Sequence, residues 1–149
     1  MSDPLRLTLE VACPPDHAFH VWTSRIGTWW PVDHSVSGEP DLEVVLEPAV
    51  GGRIYERTRS GTEHDWGRVT RFEPPRLLAY QWHIGRDPSA STDVEIAFVP
   101  DGDRRTRVEI VHGGWDRLGE EAETWRGRNR HGWDTLLPHV AAAINEEHT

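Results

Sequence analysis

Nine histidines are spread along this 149-residue sequence, and three of their settings carry residue types that could do chemistry. Asp33, His34 and Ser35 supply the carboxylate, imidazole and hydroxyl of a hydrolase triad. Three consecutive residues cannot converge on one proton path, so the run reads as loop structure, with His34 free to turn toward a cavity. His112 ends a segment in which Val108 and Ile110 alternate with polar residues, and a period of two turns it inward with them. An imidazole there either orients a ligand, acts as an acid or base near neutral pH, or bonds to a backbone carbonyl. His17 and His20 stand three apart on one helical face, but a metal needs two more ligands. No HExxH or acidic motif supplies them, and His64, His83, His131, His139 and His148 are scattered singly, so no metal is expected.

Charged residues give a second set of candidates. In the segment 53–58, Ile54 and Tyr55 both suit a core, which leaves open whether Glu56 or Arg57 enters the interior. Whichever does needs a partner or a ligand, because an unpaired buried charge is costly. Gly51 and Gly52 lack the spacing of a nucleotide-binding loop and read as a tight hairpin, and no cofactor is indicated. All 16 basic residues are arginine, which removes lysine Schiff-base chemistry and the P-loop lysine. With 25 acidic residues the net charge is −9, and no basic cluster offers the footprint of a nucleic-acid or anionic-membrane binder. Cys13 is the single cysteine, so no intrachain disulfide or tetrathiolate site can form, and a cytoplasmic setting is expected.

Eight tryptophans, at 22, 29, 30, 66, 82, 115, 125 and 133, exceed what closing a core of this size requires. They serve either as large core filler or as flat walls that recognise a hydrophobic or aromatic ligand by stacking. Trp29, Trp30 and Trp133 are the first candidates for such a wall, followed by Trp66 and Trp82.

Elements must position these groups. Leu5, Leu7, Leu9 and Val11 alternate as a strand, Pro14 and Pro15 end it, and Ala18, Phe19 and Trp22 follow at helical spacing. Residues 26–40 hold too many breakers for a long helix and too many aromatics for a solvated linker, which predicts a packed loop. Strand character follows at 42–46, 53–58, 65–72, 77–84, 93–99 and 107–112, separated by short turn signals that favour an antiparallel meander. From about 120 to 146, Trp125, Trp133, Leu136, Leu137, Val140 and Ile144 fall largely on one face of a long helix, with a kink expected ahead of Pro138. The chain has the size of one domain, 1–149, and the last helix is the element long enough to cover the sheet. The N-terminus lacks a signal-peptide pattern, and no apolar run is long enough to span a membrane.

Particular motifs then point to a family. They are Ile26-Gly27-Thr28-Trp29-Trp30-Pro31 with His34-Ser35, Glu47-Pro48 before Gly51-Gly52-Arg53, Trp66-Gly67-Arg68-Val69, and Phe72-Glu73-Pro74-Pro75-Arg76-Leu77. Val94-Glu95-Ile96 with Phe98, Thr106 to Ile110 ending at His112, and Gly132-Trp133 ahead of Leu136-Leu137 extend them over nearly the whole chain. In this order they resemble the activator-of-heat-shock-protein-ATPase-like branch of the START and polyketide-cyclase (SRPBCC) helix-grip superfamily. The resemblance implies an α+β fold in which a seven-stranded curved antiparallel sheet grips the C-terminal helix, with two short helices after the first strand and a ligand-sized cavity. It would place Trp29 and Trp30 at the cavity mouth.

Together these readings give a ligand-binding set of Trp29, Trp30, His34, Tyr55 and Trp66, completed by Trp82, Phe98, His112 and Trp133. The expected function is a cytoplasmic binding module for a small hydrophobic or aromatic molecule. A cyclase- or hydrolase-like enzyme would use the same cavity, with His112, His34, Glu56 or Tyr55 as acid or base, although no convergent catalytic set stands out. A third reading, from the resemblance to the chaperone activator, is a protein-interaction domain. An edge strand or the tryptophan loop offers a surface for a homodimer or protein partner, and nothing in the residues requires one.

Overall fold

The computed structural model describes residues 3–148. The chain opens with β1 (Leu5–Val11) and two short helices, α1 (Pro15–Thr23) and α2 (Ile26–Trp29). Strands β2 (Glu43–Leu46), β3 (Arg53–Arg57), β4 (Glu63–Glu73), β5 (Leu77–Trp82), β6 (Thr92–Pro100) and β7 (Thr106–Gly113) follow, and α3 (Ala122–His148) ends it. One antiparallel sheet runs in the order β1-β7-β6-β5-β4-β3-β2, a meander closed at one edge by β1 lying beside β7.

Each element has a local cause. Pro15 occupies the first turn of α1, where a missing N–H costs nothing, and α1 buries Ala18, Phe19, Val21 and Trp22. In β6 and β7 the period of two is clean: Thr92, Val94, Ile96 and Phe98 face inward, as do Thr106, Val108, Ile110 and His112. Two register shifts, one at Ile54/Tyr55 and one at Val69/Arg71, curl the sheet, since a bulge bends its strand and increases the local twist. Gly67 is required where the curled strands approach: a Cβ there would lie 2.1 Å from the carbonyl oxygen of Gln81.

The predicted packed loop is partly helical, containing α2 and a 3-10 turn over Val32–His34. The last helix starts slightly later than its apolar pattern suggests. Residues Trp115–Glu121 form 3-10 structure that Gly119, at φ 61°, separates from α3. From there α3 continues through Pro138, which sits on its exposed side. Trp133, Leu136, Val140 and Ile144 form the buried stripe that the sheet grips. Each contributes about 1.5–3 kcal/mol by leaving water, so Ile144→Ala is the kind of change that would loosen the grip. Among the described residues no helix is long and apolar enough to cross a membrane.

The convex face of the sheet is polar. Arg53 bonds to Asp65 and Glu63, Arg57 to Glu63, Arg71 to Glu73, and Arg107 to Glu109. Tyr55 lies on this face, with the Arg53 guanidinium 4.1 Å above its ring and Arg57 donating to its hydroxyl. Glu56, the next residue, is fully buried on the concave face, which answers the question the sequence pattern left open.

Candidate functional site

A cavity of about 590 Å³ opens between the loop after α2, the end of β5 and the first half of α3. Its apolar walls are Trp30, Tyr80, Trp82, Trp125, Trp133 and Leu136, and its polar border includes His34, Arg128 and Asn129. Trp30 sits at the centre of an aromatic cluster, with ring centroids 4.9 Å from Trp66 and 5.8 Å from Trp82. Its indole N–H donates to the His34 carbonyl at 3.0 Å, so one tryptophan both forms wall and fixes the 3-10 turn.

His112 is fully buried behind Trp133. The Trp133 indole, which can only donate, bonds to His112 Nδ1 at 3.0 Å, so the imidazole proton resides on Nε2. Nε2 donates to the Thr92 hydroxyl at 2.7 Å, and that hydroxyl donates to the Trp82 carbonyl at 3.3 Å. The chain thus begins at one cavity wall and ends at another. Burial, reinforced by the positive charge of Arg86, lowers the His112 pKa to about 3, which keeps the ring neutral and Nδ1 free to accept from the Trp133 indole.

Glu56 is the buried carboxylate of the interior. It accepts from the Val36 N–H at 2.5 Å, the Ser37 N–H at 3.0 Å and the Trp66 indole at 2.8 Å. Burial alone would push its carboxyl up. The bonds from Ser37, Val36 and Trp66 outweigh that and hold it below the usual carboxylate range. Two of the donors belong to the loop that supplies Asp33, His34, Ser35 and Val36 to the cavity, so Glu56 straps that loop to the sheet.

Of the residues singled out in the sequence, the structure brings Trp30, His34, Trp82 and Trp133 to the cavity surface. Trp66 lies directly behind Trp30, and His112 behind Trp133. Trp29 packs on Trp22 at 5.6 Å and donates to the Val21 carbonyl, while Phe98 belongs to the core beside Phe19 and Trp22. Tyr55 faces away, beneath its arginines. Asp33 Oδ1 is 3.7 Å from His34 Nδ1, beyond hydrogen-bond distance, and His34 Nε2 has no hydrogen-bond partner, so the Asp-His-Ser relay is not made. Among the described residues no group of three or more His, Cys, Asp or Glu side chains is placed to hold a metal ion.

Tyr80, Trp125, Arg128, Asn129 and Leu136 border the cavity without having been singled out for it. Two signals point to them: Tyr80 shares the inward face with Trp82 two residues on, and positions 125, 129, 133 and 136 follow one helical stripe.

The family described as Activator of Hsp90 ATPase homolog 1-like protein matches residues 12–145. The chain belongs to that family. Among solved structures, the anthrahydroquino-gamma-pyrone synthase Txn09, solved complexed with SUM, is 36% identical over 83% of this chain and 84% of its own, with a TM-score of 0.58. CalC, a self-sacrificing resistance protein from Micromonospora echinospora, is 29% identical over 97% of this chain and 96% of its own, with a TM-score of 0.72. DynU16, a putative protein in the dynemicin biosynthetic locus, shares the fold at 17% identity and a TM-score of 0.68, matching 97% of this chain and 48% of its own. None of the curated proteins matches the sequence. The family's helix-grip sheet and the buried aromatic cluster are compatible with binding a small molecule.

Proposed function

We propose that this protein is a cytoplasmic binding module that holds a flat aromatic molecule, of the polyketide kind, between the end of β5 and α3. The observation that carries the reading is the cavity itself: about 590 Å³, within the range of small-molecule sites, with four tryptophans among its walls. Such a surface favours a planar ligand through offset or edge-on ring contacts rather than through many hydrogen bonds. The 36% identity to a synthase that makes an anthrahydroquino-gamma-pyrone supports the aromatic class.

A second reading, a cyclase-like enzyme, is favoured by that same likeness and by His34, whose Nε2 is buried with no partner beside the cavity. His112 does not serve this reading, since both of its nitrogens are engaged within the fold. A protein-partner role draws less support, because among the described residues only Val36 and Val50 are exposed large apolar side chains, and Val36 belongs to the cavity lining.

Native mass spectrometry of freshly purified protein tests both readings. An intact aromatic ligand that is released unchanged after incubation with excess protein supports the binding module. Conversion of that ligand to a product of different mass replaces it with the enzyme, and a cavity that takes up no aromatic compound ends both.

A further inference from the structure

Three polar groups from three elements border the cavity and are unspent within the fold. His34 Nε2 is buried without a partner, the Tyr80 hydroxyl makes no hydrogen bond among the described residues, and Arg128 pairs with no described carboxylate. Each can donate. A purely hydrocarbon ligand would seal the Tyr80 hydroxyl and His34 Nε2 against apolar surface with their bonds unmade, which is more costly than leaving the cavity wet.

The charges around Arg128 narrow the choice further. On the convex face four arginines, Arg53, Arg57, Arg71 and Arg107, are matched to carboxylates. Arg128 instead lies 5.0 Å from the centroid of Trp125, and Arg86, which borders a smaller neighbouring pocket, lies 5.0 Å from the same ring. Arg86 spends its guanidinium on the carbonyls of Ala90 and Trp82 and leaves Nε buried without a partner. Two guanidiniums without a described carboxylate therefore flank one cavity wall in a protein of net charge −9. Asp33, a carboxylate bordering the cavity, lies beside His34 and forms no ion pair with Arg128.

We propose that the cavity selects aromatic molecules carrying an acidic group, a carboxylate or an ionised phenol, with Arg128 as its counter-ion and the Tyr80 hydroxyl and His34 as additional donors. This rests on the aromatic-binding reading and adds the charge of the ligand to it. A local positive field at the mouth also offsets the repulsion that an acidic protein otherwise presents to an anion.

Titration calorimetry with anthracene-2-carboxylate and anthracene-2-carboxamide, matched in ring area and different in charge, decides the matter. The carboxylate is expected to bind at least about tenfold more tightly to the natural protein, and its advantage to shrink as salt is raised. Arg128→Gln should bring the two within about threefold, chiefly by weakening the carboxylate, and Arg128→Lys should retain part of the preference. Arg128 is exposed, so thermal melts of both variants should match the parent. Equal affinities in the natural protein, or a preference that survives Arg128→Gln, overturn the acidic-ligand inference and leave the aromatic cavity standing. Failure of both compounds to bind overturns the aromatic reading itself.

Discussion

The two faces of the sheet handle charge in opposite ways. On the convex face Glu63 meets two arginines in water, and its carboxyl is held below the usual range by Arg57 and Arg53. On the concave face Glu56 is also held below that range, without any arginine, by Ser37, Val36 and Trp66 acting against its burial. The outer pairs are partly exposed and screened by solvent, and contribute little each. The inner carboxylate has fixed donors and no water to replace them, so losing any part of the arrangement leaves several groups unsatisfied at once. Similar pKa directions thus conceal very different structural weights.

The sharpest way to break this contrast is to remove each carboxylate in turn. Glu56→Ala should cost about 4 kcal/mol in urea unfolding, since it strands two backbone N–H groups and an indole. It should also accelerate hydrogen exchange at Val36 and Ser37, whereas Glu63→Ala should leave both readouts nearly unmoved. A comparable loss from the two substitutions would refute the distinction.

Acid provides the next largest effect. His112 has a folded pKa of about 3 against an ordinary value near 6.5, so the unfolded chain takes up the proton first as pH falls. Its contribution is complete above about pH 6.5 and is lost as pH falls toward 3, at about 1.4 kcal/mol per unit. Glu56, whose folded pKa is depressed, adds a further loss only below about pH 4.3. Urea midpoints measured from pH 7 to 5 should therefore fall in the natural protein and flatten in His112→Gln. A slope that His112→Gln does not change would assign the acid sensitivity elsewhere.

Trp133→Phe keeps most of the wall but deprives His112 Nδ1 of its donor, and a destabilisation of about 1–2 kcal/mol is expected. Trp30→Ala, which opens the wall itself, should weaken binding of an apolar dye about tenfold while unfolding stays cooperative. At the small end, Arg107→Ala on the convex face should leave the urea midpoint unchanged within error.

What the sequence could and could not disclose follows the same division. The β6 and β7 strands were readable because one face is buried and the other wet, and this alternation turned His112 inward. In β3 the alternation fails. Ile54, Tyr55 and Glu56 are all buried, because Arg53 and Arg57 cover Tyr55 on the outer face and make an outward residue look like core. On α3 the apolar stripe was visible, but the cavity also uses the polar flank at Arg128 and Asn129, which apolar periodicity does not register. Trp29 and Trp30 are adjacent and alike in composition, yet one packs on Trp22 and the other faces the cavity, a choice made by the turn between α2 and Val32–His34.

The bond from Trp133 to His112 has a spectroscopic consequence. An indole proton shared with an imidazole nitrogen, shielded from water and packed edge-on at 6.1 Å between ring centroids, should give a downfield, slowly exchanging resonance. Trp29, Trp30, Trp66 and Trp115 also direct their N–H groups to oxygen acceptors within the fold. Because Trp133 is itself part of the cavity wall, that single proton signal should shift when the cavity is filled, a label-free readout of occupancy.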